Sequence, residues 1–140
     1  MAALLPATTI TAAVTAAVGA TLQLRDGAPH ALLIQANFTY GSGGTSATAY
    51  VQTSVDGGLT WCDIANFAFT TASGRKLFNL SCLTPVTTQA TPTDGALTAN
   101  TAVDGVLGRH FRVKYTTVGT YAGGTTLEVD VSTSRTAPAS

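Results

Sequence analysis

A chain of 140 residues and 14.2 kDa holds one domain with a real core, and not comfortably two. Only 10% of its residues are charged, and seven Lys plus Arg balance seven Asp plus Glu, so no net field exists to hold a phosphate backbone or an anionic membrane. Nucleic acid and membrane are excluded as direct partners on that ground, and the surface has to be built largely from Thr, Ser, Ala, Gly and Asn.

Threonine supplies about one residue in five and Val is common, a β-branched bias that predicts an all-β domain. Residues 1–26 read as an extended Ala/Thr-rich arm with one or two strands, closing on the turn Arg25-Asp26-Gly27. The arm has no basic residue before Arg25 and carries Pro6 inside its apolar run, which argues against a secretory signal. From His30 to Tyr40 the residues alternate, with Leu32, Ile34, Ala36 and Phe38 on one face and Leu33, Gln35 and Asn37 on the other, so this is a core strand. GSGGTS at 41–46 is a hairpin loop into a second alternating strand, Ala47 to Val55. SVDGGLTW then turns the chain into a strand through Trp61 and Ile64, with further strands at Phe67–Thr71 and Lys76–Cys82.

Between residues 84 and 108 the periodicity dissolves into Pro, Thr, Ala and Gly, which predicts a long surface excursion. At the end of the chain Phe111, Val113 and Tyr115 alternate with Arg112 and Lys114, and Leu127, Val129 and Val131 with Glu128 and Asp130. Folding these two segments on each other about Tyr121 sets Arg112 against Asp130 and Lys114 against Glu128, while Val113 meets Val129. The expectation is a terminal hairpin with a charged outer face and Tyr121 exposed at its tip. Residues 27–133 thus read as an antiparallel β-sandwich or jelly roll of about eight strands, with 134–140 as a tail.

SVDGGLTW fits S-x-D-x-G-x-T-W at every specified position. Gly57 and Gly58 supply the positive φ that a tight turn needs, Asp56 accepts from the turn's N–H groups, Ser54 and Thr60 tie the strand ends, and Trp61 packs beneath. The motif resembles the Asp-box of sialidases and other β-propellers, where it recurs as a structural hairpin in successive blades. It occurs once here, and a propeller of at least four blades of roughly 40 residues cannot fit in the chain. The reading is structural.

No constellation points to catalysis, a cofactor or a metal. Four of the seven acids, Asp26, Asp56, Asp94 and Asp104, stand directly before Gly, which is turn placement rather than a glycosidase pair. The only histidines are His30 and His110, no G-x-S-x-G surrounds a Ser, and Cys62 and Cys82 lack zinc spacing. The two cysteines read as small buried hydrophobes rather than a disulfide framework.

The runs AYVQTSVDGGLTWCDIANFAFTTASGRKLFNLS and TPTDGALTANTAVDGVLGRHFRVKYTTVGTYAGGTTLEVDVS, within residues 47–133, resemble small virion proteins encoded in the head genes of tailed bacteriophages. In size and character the chain is similar to capsid cement or decoration proteins of short-tailed Bordetella phages. That resemblance implies a non-enzymatic protein on the capsid exterior, assembled in the host cytoplasm and needing no cofactor. Its implied partner is the phage major capsid protein, bound across capsomer seams of an HK97-fold shell, and its implied state is a homodimer or homotrimer. The arm Ala2–Thr21 and the excursion Thr84–Gly108 are the expected contact segments. A neck or tail component, and a carbohydrate-binding or adhesive β-sandwich, are the alternatives.

Overall fold

The computed structural model describes residues 2–25 and 27–134, so the predicted turn at Asp26 and the tail beyond Ser134 lie outside the described residues. These residues form eleven strands and no helix. In chain order they are β1 (Ala2–Thr9), β2 (Ala17–Val18), β3 (Leu22–Gln23), β4 (Ala31–Thr39), β5 (Ser42–Gly43) and β6 (Ser46–Ser54). There follow β7 (Cys62–Phe69), β8 (Gly74–Ser81), β9 (His110–Val118), β10 (Tyr121–Ala122) and β11 (Thr126–Ser134).

One antiparallel sheet has the order β1-β11-β4-β8, and the other has β9, β6 and β7 side by side with β2 and β3 both on the free edge of β9. β5 and β10 form a small ladder of their own. When β2 and β3 count as one interrupted strand, eight strands pair first with last, second with seventh, third with sixth and fourth with fifth. That is an antiparallel hairpin wrapped into two facing sheets, the strand order of a jelly roll.

The inward row of β4, Leu32, Ile34, Ala36 and Phe38, is fully buried beside Leu127, Val129 and Val131 of β11. Opposite lie Ala47, Ala49 and Val51 of β6, Phe67 and Phe69 of β7, and Phe111 and Val113 of β9. Small residues stand beside large ones, Ala47 against Phe69 and Ala49 against Phe67, and this lets the β7 rings reach across the sandwich. Phe69 stacks on Phe38 with ring centroids 5.1 Å apart, joining the two sheets.

The one or two strands expected in residues 1–26 are three, β1 paired with β11 and β2 and β3 with β9, and Leu4, Leu5 and Ile10 belong to the core. Three further expectations change. The predicted strands through Trp61 and Phe67 are one strand, β7, with a register shift opposite Val51 and Gln52 that accommodates one extra residue. The terminal hairpin does not form, because β9 pairs with β6 in one sheet and β11 with β4 in the other. Arg112 therefore faces Gln52 and not Asp130, and Lys114 faces Tyr50 and not Glu128. Alternation fixes which residues share a face, and any antiparallel neighbour of matching pattern satisfies it. Finally, Tyr121 is 1% exposed, set edge-on to Phe38 and Tyr40, with its hydroxyl donating to Thr70 O at 2.7 Å.

Candidate functional site

The SVDGGLTW segment joins β6 to β7 at one end of the sandwich. Ser54 Oγ donates to Asp56 Oδ1 at 2.8 Å and accepts from Gly58 N at 2.9 Å. Thr60 closes the turn from the other side, its N–H donating to Asp56 Oδ1 at 2.9 Å and its hydroxyl to Asp56 Oδ2. Gly57 and Gly58 have φ of 76° and 95°, the left-handed region that the turn requires. Trp61 Nε1 donates to Gly58 O at 3.1 Å, and the Arg112 guanidinium lies 4.3 Å from the centre of the Trp61 ring. All six residues singled out in the motif, Ser54, Asp56, Gly57, Gly58, Thr60 and Trp61, come together in this one turn.

The Thr60 hydroxyl, the Thr60 N–H and the Ser54 hydroxyl hold the Asp56 carboxyl down at about 2. A folded value below that of the unfolded chain stabilises the turn above about pH 4 and ceases to do so as the pH falls through about 2. Amide protection at Gly58 and Thr60, taken relative to the unstructured exchange rate at each pH, is expected to fall over that window in the native protein. In Asp56→Ala it should be low at every pH while the remaining strands keep their protection.

Beneath this hairpin the excursion, 82–109, is a strap docked along the free edge of β7. Its backbone continues the sheet: Asp63 N donates to Thr93 O, Asn66 N to Thr101 O and Val103 N to Ile64 O, at 2.8–2.9 Å. Three aspartates anchor it. Asp63, 1% exposed, accepts from Gln52 Nε2, the Thr93 hydroxyl and the backbone N–H groups of Gly95, Ala96 and Leu97, at 2.8–3.1 Å. Burial pushes its carboxyl up, but Gln52, Ala96, Gly95 and Thr93 together pull it lower still, leaving it below its ordinary range. Asp94 lies over β9, where Lys114 Nζ at 2.8 Å and Arg112 at 4.0 Å neutralise it. The Lys114 bond is the main reason that its carboxyl is lowered. Asp104 accepts from Ser81 N at 2.5 Å and so fastens the strap to β8 in the other sheet.

Gln52, fully buried, saturates its amide at the centre of this network. Nε2 donates to Asp63 and Asp94, and Oε1 accepts from Arg112 Nε at 2.8 Å. Two carboxylates and two cations are thus linked through one amide, which keeps a half-buried cluster neutral. Sequence reasoning placed Asp63 and Gln52 only as strand residues. Their signal is tertiary, because outward polar positions become buried once the strap lies over them.

Between hairpin and strap lies a cleft of about 370 Å³, lined mainly by Val55, Trp61, Pro92, Leu97, Val103 and Val106. Cys62 also borders it; burial pushes its thiol up, and Cys82 is a second, separate free thiol, so no bridge links them. Among the described residues no three His, Cys, Asp or Glu side chains converge as metal ligands. No aromatic platform forms around the cleft, since Arg112 covers one face of Trp61 and Tyr121 is in the core.

The same end leaves large apolar side chains in water. Val55 is 80% and Leu59 86% exposed on the hairpin, and Leu83 and Val86 are about half exposed where the strap leaves β8. The exposed Val55 and Leu59 thus stand on a hairpin held by the Asp56 hydrogen bonds and by the contact of Trp61 with Arg112. Comparison of the chain with protein-family models, curated proteins and solved structures finds no match.

Proposed function

We propose that the protein is a non-enzymatic structural component of a tailed-phage virion, a capsid cement protein that binds the major capsid protein across capsomer seams of an HK97-fold shell. The observation that carries this reading is the apolar end, where Val55, Leu59, Leu83 and Val86 stand in water on a chain of zero formal net charge. Exposed apolar groups gathered at one end of a domain mark a protein-binding surface. The hairpin beneath them is braced by Asp56 and by the Trp61–Arg112 stack, so little ordering cost accompanies binding. A protein that binds the assembled lattice and not the free subunit shifts the equilibrium toward the intact shell by mass action. The arm strands Ala2–Thr9 and Ala17–Val18 pair within the sheets, and in this reading the loop end makes the principal contact with the shell.

Purified protein mixed with empty expanded shells of a tailed phage should bind saturably and raise the temperature at which the shells disrupt. Val55→Asp combined with Leu59→Asp should weaken that binding by about 30-fold or more, the loss of one central hot spot, without lowering the protein's own melting temperature. Binding to a glycan array with none to shells overturns the proposal.

A further inference from the structure

The cleft between hairpin and strap holds about 370 Å³, and its walls are apolar: Val55 and Trp61 on the hairpin side, Pro92, Leu97, Val103 and Val106 on the strap side. The strap residues along it are tied to β7. Thr93 O accepts from Asp63 N at 2.8 Å, Leu97 N donates to Asp63 Oδ2 at 3.1 Å, and Val103 N donates to Ile64 O at 2.8 Å. Drawing the two walls together would break these bonds, so the concavity is formed before anything enters it.

The walls also select against charge. No Lys, Arg or His among the described residues lines the cleft, so an anion finds no counterion there. The one carboxylate on its wall, Asp63, already accepts from five donors and has nothing left for a cation. Of the four threonines that line the cleft, three donate their hydroxyl protons within the protein: Thr53 to His110 O, Thr60 to Asp56 and Thr93 to Asp63. The hydroxyl oxygens of Thr60 and Thr93 can each still accept. Water against such walls has few partners, and a hydrocarbon that displaces it forfeits little.

We propose that the cleft binds a small, neutral, hydrocarbon-rich molecule with at most one hydrogen-bond donor, such as an alicyclic or aromatic alcohol. A dry cavity of about 150 Å³ admits benzene, so a volume more than twice that has room for about ten to fourteen non-hydrogen atoms. The apolar body fills the space between Trp61 and the strap valines, and the hydroxyl donates to Thr60 or Thr93. Because hairpin and strap each supply a wall, the complete site exists only while the strap is docked, and occupancy holds the strap in place by mass action. The site needs no second protein, so it does not rest on the shell reading.

Trp61 is the only tryptophan, and 1-adamantanol, a neutral alcohol of fitting size that is transparent where indole absorbs, is the probe. Titrated into the full chain, it should change Trp61 fluorescence saturably with a Kd of about 0.1 mM. Adamantane-1-carboxylate and 1-adamantylammonium, of nearly the same size, should bind at least about tenfold more weakly, since each charge would enter without a partner. At about ten times its Kd the alcohol should slow proteolytic cleavage between residues 84 and 108 by about tenfold, an effect that binding elsewhere does not produce. Val106→Phe fills the cleft and should weaken binding by about tenfold. Circular dichroism checks its folding, and Ala90→Phe on the same wall serves if it does not fold. Absence of saturable binding, equal binding of the charged analogues, or binding untouched by the filled variant overturns the proposal. Binding that leaves strap cleavage unchanged also overturns it.

Discussion

Asp63→Ala should cost about 3 kcal/mol of folding stability, a sizeable part of the 5 to 15 kcal/mol typical of a domain. Five donors converge on this one carboxylate, from Gln52, Thr93, Gly95, Ala96 and Leu97, in a site that excludes water. Removing the acceptor leaves buried N–H groups unpaired, and the cost of those orphans outweighs the modest net value of the bonds themselves. Asp63→Asn should be nearly as damaging, since both carboxylate oxygens accept and an amide must turn its NH₂ toward groups that are themselves donors. Urea denaturation gives the magnitude. Limited proteolysis gives the location: cleavage between residues 84 and 108 should precede cleavage anywhere else. A loss below about 1 kcal/mol would show that the strap is not fixed by this anchor.

Tyr121→Ala should cost about 3 to 5 kcal/mol, the range for deleting a buried aromatic ring, whereas Tyr121→Phe should cost only about 1 kcal/mol. The ring fills the space between Phe38 and Tyr40, and the hydroxyl has a single partner, Thr70 O. Burial also raises the phenol above its ordinary value, so alkaline titration by ultraviolet absorbance should find it among the last tyrosines to ionise. A side chain at an exposed loop tip, as the sequence places it, would lose nothing measurable on truncation. The two placements therefore differ by the whole effect.

That contrast shows how far the chain could be read without its structure. The alternation of β4, β9 and β11 identifies inward and outward faces correctly, since Leu32, Ile34, Phe38, Phe111, Val113, Leu127 and Val129 are all buried. The Asp56 turn is equally legible because its chemistry is local, its hydrogen bonds joining residues no more than four apart. Partner choice is not local. The match of Arg112 and Lys114 with Asp130 and Glu128 is plausible in pattern, yet Asp94 on the strap takes both cations. Residues 84–108 offer no periodicity from which their docking could be foreseen, although the turn glycines Gly95 and Gly105, both with φ of 83°, lie beside the two anchors Asp94 and Asp104. Gln52, Asp63 and Asn66 look like solvent-facing strand residues until that segment is laid over them.

The pairing of β1 with β11 also sets an order of events during synthesis. Leu4 and Leu5 are synthesised more than a hundred residues ahead of the strand that lies beside them, which is completed only at Ser134. Until then β4 also lacks its neighbour on that side, and two of the four strands of that sheet have nothing to hydrogen-bond across the gap. Such long-range closure makes folding slow and exposes apolar strands to other nascent chains. A chain ending before Thr126 is therefore expected to accumulate as aggregate, and the last nine residues of the sandwich act as the latch that ends that exposure.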